Sequence, residues 1–136
     1  MGDARVHRAR PAPHRPAAID FAAAILIVGS AANLIATLAG GTSVGGIVAP
    51  APIVAASVGL DALLVIIGFA VRGGRWWIAA INVNAVVVFL YGTSALDSGL
   101  SEIPLVFAVL YGAVFVAIFL NRVWFDAMGA WRARRG

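Results

Sequence analysis

The stretch S-V-G-L-D-A-L-L-V-I-I-G, Ser57 to Gly68, is an apolar run with one carboxylate, Asp61, in its middle. Two further polar side chains, Asn84 and Tyr111, stand in comparably apolar surroundings in the second half of the chain. An acid inside a membrane span points to a proton carrier or a cation ligand, with amide and phenol groups as its partners. The same three residues also suit a structural role, a hydrogen-bonded layer that orients helices, each bond contributing about 0.6 to 2 kcal/mol. Enzyme chemistry is not expected: no His, Cys, Lys or Glu falls within an apolar stretch, and no two carboxylates are placed for acid/base work.

The elements that must position these groups are spans. The chain of 136 residues is 62% hydrophobic and 12% charged, the composition of a membrane protein rather than a soluble domain. It contains no cysteine, so disulfides and thiolate chemistry are excluded. Four stretches, 17–38, 52–71, 76–96 and 103–121, approach the roughly 20 apolar residues that carry a helix across about 30 Å of hydrocarbon. Turn-rich or charged segments separate them: G-G-T-S-V-G-G, R-G-G-R and D-S-G-L-S-E. The first of these segments lacks the strand, helix and Lys of a phosphate loop and reads as a connector. No internal repeat is evident, since Asp61 has no acidic counterpart. The first apolar stretch exceeds the roughly 7 to 15 residues of a signal-peptide core, so it reads as a retained span despite the small residues of A-T-L-A at its end.

All ten cations are Arg, and their distribution orients the spans. Arg5, Arg8, Arg10 and Arg15 precede the first span, Arg72 and Arg75 lie between the second and third, and Arg122, Arg132, Arg134 and Arg135 follow the fourth. The other two connections contain none. Arg accumulates on the cytoplasmic side of short loops, which places both termini in the cytoplasm of a bacterial cell, with the chain in its inner membrane. The expected fold class is all-α: a four-transmembrane-helix bundle followed by a short interfacial helix. Residues 1–16 form a basic, Pro-rich arm expected to be disordered, 17–121 the membrane domain, and 122–136 a basic aromatic tail.

Counting from the Arg markers at about 1.5 Å per residue places Asp61, Asn84 and Tyr111 roughly 13 to 16 Å deep, in one midplane layer. Ser57 and Tyr91 fall farther out, about 22 to 24 Å from the same markers, and Asn33 in the first span is comparably far out, which makes a second layer. Asn84 and Tyr91, seven residues apart, share a helix face, whereas Asn82 points almost oppositely. Asp61 does not prevent insertion, because the Leu, Ile, Val and Phe residues of its span contribute about −0.3 to −0.6 kcal/mol each against roughly +2.5 to +3.5 for the acid. No Arg reaches it, and it is expected to hydrogen-bond, for example to Asn84. Ala55/Gly59 and Ala108/Gly112 have the small-xxx-small spacing that permits close helix approach.

In the tail, helical periodicity puts Trp124, Met128 and Trp131 on one face and Arg122 and Asp126 opposite, as in a helix lying in the headgroup region. Arg72, Arg75, Trp76 and Trp77 form a similar anchor at the other Arg-marked exit. The expected partners are therefore the lipid bilayer and its anionic lipids, together with a homo-oligomer or a larger membrane complex. The net charge of +4 follows from this topology and gives no indication of nucleic acid. His7 and His14 have no third ligand beside them, so neither a metal nor a cofactor is expected.

Gly74-Arg75-Trp76-Trp77 and Arg122-Val123-Trp124-Phe125 are similar to the G-R-x-W turn and R-x-W-F exit of small, uncharacterised four-span proteins of high-GC bacteria. That resemblance implies no activity. F-L-N-R-V-W-F, Phe119 to Phe125, together with Leu26-Ile27-Val28-Gly29, resembles motifs of the GtrA-like flippases for polyprenol-linked sugars, which carry the first motif after span two rather than span four. Small multidrug exporters of similar size need a Glu in span one, which this chain lacks. The leading expectation is a non-catalytic accessory or assembly subunit with a midplane polar layer. The alternative is a homo-oligomeric proton- or cation-coupled transporter, or a lipid-linked-sugar flippase, that uses Asp61.

Overall fold

A computed structural model of the chain describes residues 11–40, 51–97, 99–100 and 102–135, and all of its regular structure is helical. The Gly-rich connector beyond Gly40, and the part of the basic arm that holds Arg5, His7, Arg8 and Arg10, lie outside the described residues. The first span is a continuous rod of three pieces: α1 (Ala17–Ala24), a π-helical segment (Ile25–Gly29) and α2 (Ser30–Gly40). Then come α3 (Ala51–Arg72), α4 (Trp77–Asp97), α5 (Glu102–Leu120) and the short α6 (Arg122–Ala133).

Four rods, Ala17–Ala39, Ala51–Arg72, Trp77–Asp97 and Glu102–Leu120, are long and apolar enough to cross a bilayer. By helix length and hydropathy the chain is a small multi-pass membrane protein. Helices suit that setting because every backbone N–H and C=O is satisfied within the segment where no water is available. Pro52 and Pro104 sit in the first turns of α3 and α5, where the N–H they lack has no intrahelical partner to lose. α3 and α4 end alike. Arg75 N–H donates to the Ala70 carbonyl at 2.8 Å across Gly74, whose φ is +66°, and Leu100 N–H donates to Ala95 across Gly99, with φ of +67°. Both are the six-to-one bonds of a left-handed helix cap.

The rods associate as two hairpins. The first span lies along α3, α4 lies along α5, and the hairpins meet mainly through the first span and α5, with little direct contact between α3 and α4. The outward faces carry Val28, Ile35, Leu38, Phe89, Leu96 and Leu120, all exposed, while Ser30, Thr37, Asp61 and Asn84 are buried inside. That is the reverse of a water-soluble domain and fits a hydrocarbon solvent, in which helices associate by close packing and hydrogen bonds rather than by hydrophobic burial.

The close approach is made by a different glycine from those expected. A Cβ on Gly59 or Gly112 would meet nothing within 4 Å among the described residues, so neither glycine is the point of a close helix approach there. At Gly68 a Cβ would lie 2.6 Å from Ile27 Cγ1 and 3.2 Å from the Ile27 backbone nitrogen, in the π segment. Gly68 is thus the point where α3 presses directly on the widened turn of the first span.

α6 returns to cover the turn between α3 and α4. Trp124, expected as an interfacial anchor, is only 8% exposed and Phe125 is buried beside it. A Cβ on Gly74 would come within 2.9 Å of Met128 and 3.1 Å of Trp124, so the turn and α6 are in tight contact. Arg132 donates to the carbonyls of Gly73 and Gly74 at 2.8 and 2.6 Å, supplying partners for oxygens at the end of α3. Trp131 is half-buried with Arg135 over its ring at 4.3 Å.

Substituting Gly68→Val is expected to destabilise the chain by about 1 to 3 kcal/mol through overpacking against Ile27. Gly59→Ala and Gly112→Ala are expected to be near neutral, and thermal unfolding of the three variants in one detergent distinguishes them.

Candidate functional site

Several polar side chains of the spans bond across to a neighbouring helix, one helix pair at a time. In the second hairpin, Trp77 Nε1 donates to the Ile118 carbonyl at 3.1 Å and Asn84 Nδ2 donates to the Tyr111 carbonyl at 2.8 Å. Trp77 and Asn84 are seven residues apart on α4, as Tyr111 and Ile118 are on α5, so the antiparallel pair is clamped in register at two levels. One step of seven farther along α4, Tyr91 stacks on Phe107 and Tyr111, with ring centroids 5.1 and 5.8 Å away. A carbonyl within a helix keeps a second lone pair for such a donor without giving up its helical bond.

In the first hairpin, Asn33 Nδ2 on α2 donates to Asp61 Oδ2 on α3 at 2.6 Å. The expected partner of Asp61 was Asn84, but the structure pairs the acid with the preceding rod, and Asn84 turns to α5 instead. Asn33, placed by depth in an outer layer, therefore shares a layer with Asp61. Among the described residues, a side-chain hydrogen bond joins the two hairpins: Ser30 Oγ lies 3.1 Å from Tyr111 Oη, in the buried seam between the first span and α5. Asp61 is 6% exposed and Asn84 1%.

Not every polar residue of the spans takes part. Ser57, one turn before Asp61, is half-buried and outside this set of bonds. Asn82 is exposed and donates to the Ile78 carbonyl of its own helix at 2.7 Å, and Thr93 donates to Phe89 and Leu90 in the same manner. The opposed directions of Asn82 and Asn84 thus separate a self-satisfied outward amide from an interhelical one. Ser30 and the buried Thr37 were not singled out by the sequence reading, although their spacing of three and four residues from Asn33 marks a polar stripe along α2. Among the described residues three buried side-chain atoms have no hydrogen-bond partner, Arg15 Nε, Trp124 Nε1 and Asn84 Oδ1, and of these Asn84 Oδ1 lies among the polar groups of the spans.

The available ligand atoms are carboxylate, amide and hydroxyl oxygens, which suit a proton or a hard cation. Among the described residues no three His, Cys, Asp or Glu side chains are grouped for a metal ion. At the Arg-marked end, Arg72, Arg75 and Trp76 are exposed, while Trp77 is half-buried and carries the Arg122 guanidinium over its ring at 5.1 Å. Trp77 is therefore a hairpin clamp as well as an end marker.

Comparison with family models, curated proteins and solved structures returns no match. The likenesses to small four-span proteins and to the flippases rest on the quoted residues alone.

The two asparagines of α4 give a direct test of this arrangement. Asn84→Ala is expected to cost about 0.6 to 2 kcal/mol, because a clamp between helices is lost. Asn82→Ala removes only a bond within its own helix and is expected to leave the unfolding midpoint unchanged.

Proposed function

We propose that the chain is a non-catalytic accessory or assembly subunit of a bacterial inner membrane, with both termini in the cytoplasm and its polar cluster acting as a pairing device for helices. The observation that carries this reading is that Asp61, only 6% exposed, accepts a hydrogen bond from Asn33 of the neighbouring span, within the chain. A carboxyl used in this way orients two helices. The orientation rests on the clustering of Arg72, Arg75 and Arg122 at one end of the spans.

A second reading, a small transporter in which Asp61 binds a proton or cation, draws on the unpartnered Oδ1 of Asn84, a buried acceptor without a donor. A polar site with unmet valence inside a span is what a transported ion would occupy.

The Asp61→Asn variant separates the two. The subunit reading expects no proton or sodium flux from proteoliposomes of either the native chain or the variant, together with a lower unfolding midpoint or an altered assembly state in the variant. Flux in the native chain that Asp61→Asn abolishes, with stability intact, would establish the transporter.

A further inference from the structure

The Arg-marked end of the molecule holds a groove of about 740 Å³ between the α3–α4 turn, the start of α4 and α6. Three guanidinium groups border it, from Arg75, Arg122 and Arg132, against the one carboxylate of Asp126. We propose that this groove is a binding site for the headgroup of one anionic phospholipid, with its phosphate held by Arg75 and Arg122 and its acyl chains lying along α4.

The geometry prepares Arg122 for a phosphate. Its guanidinium lies over the Trp77 ring at 5.1 Å, and that ring is anchored by the bond from Nε1 to the Ile118 carbonyl, so the planar fork has an aromatic face to rest on before any ligand arrives. A pre-oriented guanidinium suits bidentate phosphate recognition. Asp126, the one acid among the described residues that line the groove, stands 3.8 Å from Arg122 Nε with both side chains largely exposed, a loose pair that a phosphate can displace. Arg132 is bound to the Gly73 and Gly74 carbonyls, which are neutral, so its charge still contributes to the field of the groove. Arg75 follows the capping glycine at the groove's edge and is exposed.

The walls favour a lipid over a free phosphate. The groove opens onto Ile78, which is 69% exposed on the outward face of α4, and onto Trp76, which is 57% exposed. These surfaces continue from the charged rim toward the hydrocarbon and suit a ligand that is anionic at one end and apolar along the rest. A second groove, between α1 and α3, is bordered by Arg15 and Arg72, but there Asp20 forms a 2.9 Å ion pair with Arg15 and offsets the charge. The proposed site is thus distinguished from a general attraction of Arg for the membrane surface by its three-to-one charge ratio and its stacked, oriented guanidinium.

The test is native mass spectrometry of the full chain in a zwitterionic detergent, titrated with dioleoyl phosphatidylglycerol and, separately, with dioleoyl phosphatidylcholine. The expected result is one phosphatidylglycerol held about tenfold or more tightly than phosphatidylcholine. Arg75→Gln with Arg122→Gln is expected to weaken it about tenfold, while Arg134→Gln with Arg135→Gln, which removes the same charge from the tail, leaves it within about twofold. Equal weakening by both double variants would overturn the proposal in favour of general surface charge, as would equal binding of phosphatidylcholine. Displacement of the lipid by millimolar inorganic phosphate would also overturn it, in favour of a free-phosphate site. Should the first double variant lose its helical circular dichroism, Arg122→Lys takes its place. A severalfold loss at unchanged charge supports the oriented fork, and unchanged affinity contradicts it.

Discussion

The rest of the structure depends on the absence of water inside the spans. A polar atom there has two remedies, its own helix backbone or a neighbouring helix, and the choice between them decides which helices become neighbours. Asn82 and Thr93 take the first remedy and leave their helix free to face lipid. Asn33, Asp61, Asn84 and Trp77 take the second, and each of their bonds names a helix pair. Ser30 and Tyr111 then fix how one pair sits on the other. Apolar side chains alone would not be so selective, because lipid tails offer them nearly the same surroundings as another helix does.

Much of this was legible in the sequence wherever the governing variable was position along the helix axis. Apolar length located the four rods. Rotation about the axis and pairing were less accessible. The count from Arg15 set Asn33 in an outer layer, yet its side chain bonds to Asp61, because distance along one rod does not fix how far that rod slides against its neighbour, and the first span also contains a π turn at residues 25–29. Nothing in I-L-I-V-G announces that turn. The partner of Asp61 could not be read for a related reason: several polar groups shared its depth, and only the packing of hairpins chose among them.

The glycines show the same limit in another form. Ala55/Gly59 and Ala108/Gly112 satisfy a spacing rule, but a Cβ on either glycine would meet nothing within 4 Å, while a Cβ on Gly68, outside both pairs, would lie 2.6 Å from a side-chain carbon of the first span. Spacing reports which residues share a face and does not report which face meets a neighbour. The tail illustrates the converse. Its amphipathic period was evident, but the apolar face that includes Trp124 and Met128 covers the α3–α4 turn rather than lipid, because Gly74 leaves room for both and Arg132 supplies donors to that turn. The Arg-rich end is consequently a built surface, with oriented cations, rather than a loose fringe of charge.

The central claim is that hydrogen bonds between spans, and not apolar contact alone, set the helix pairing. The most direct measurement is a double-mutant cycle on Asn33 and Asp61, with Asn33→Ala, Asp61→Ala and the double variant unfolded reversibly in a bilayer-like detergent. The account predicts a favourable coupling of about 0.6 to 2 kcal/mol, so that the double variant loses less than the two single losses combined. Strict additivity of the two substitutions would contradict it.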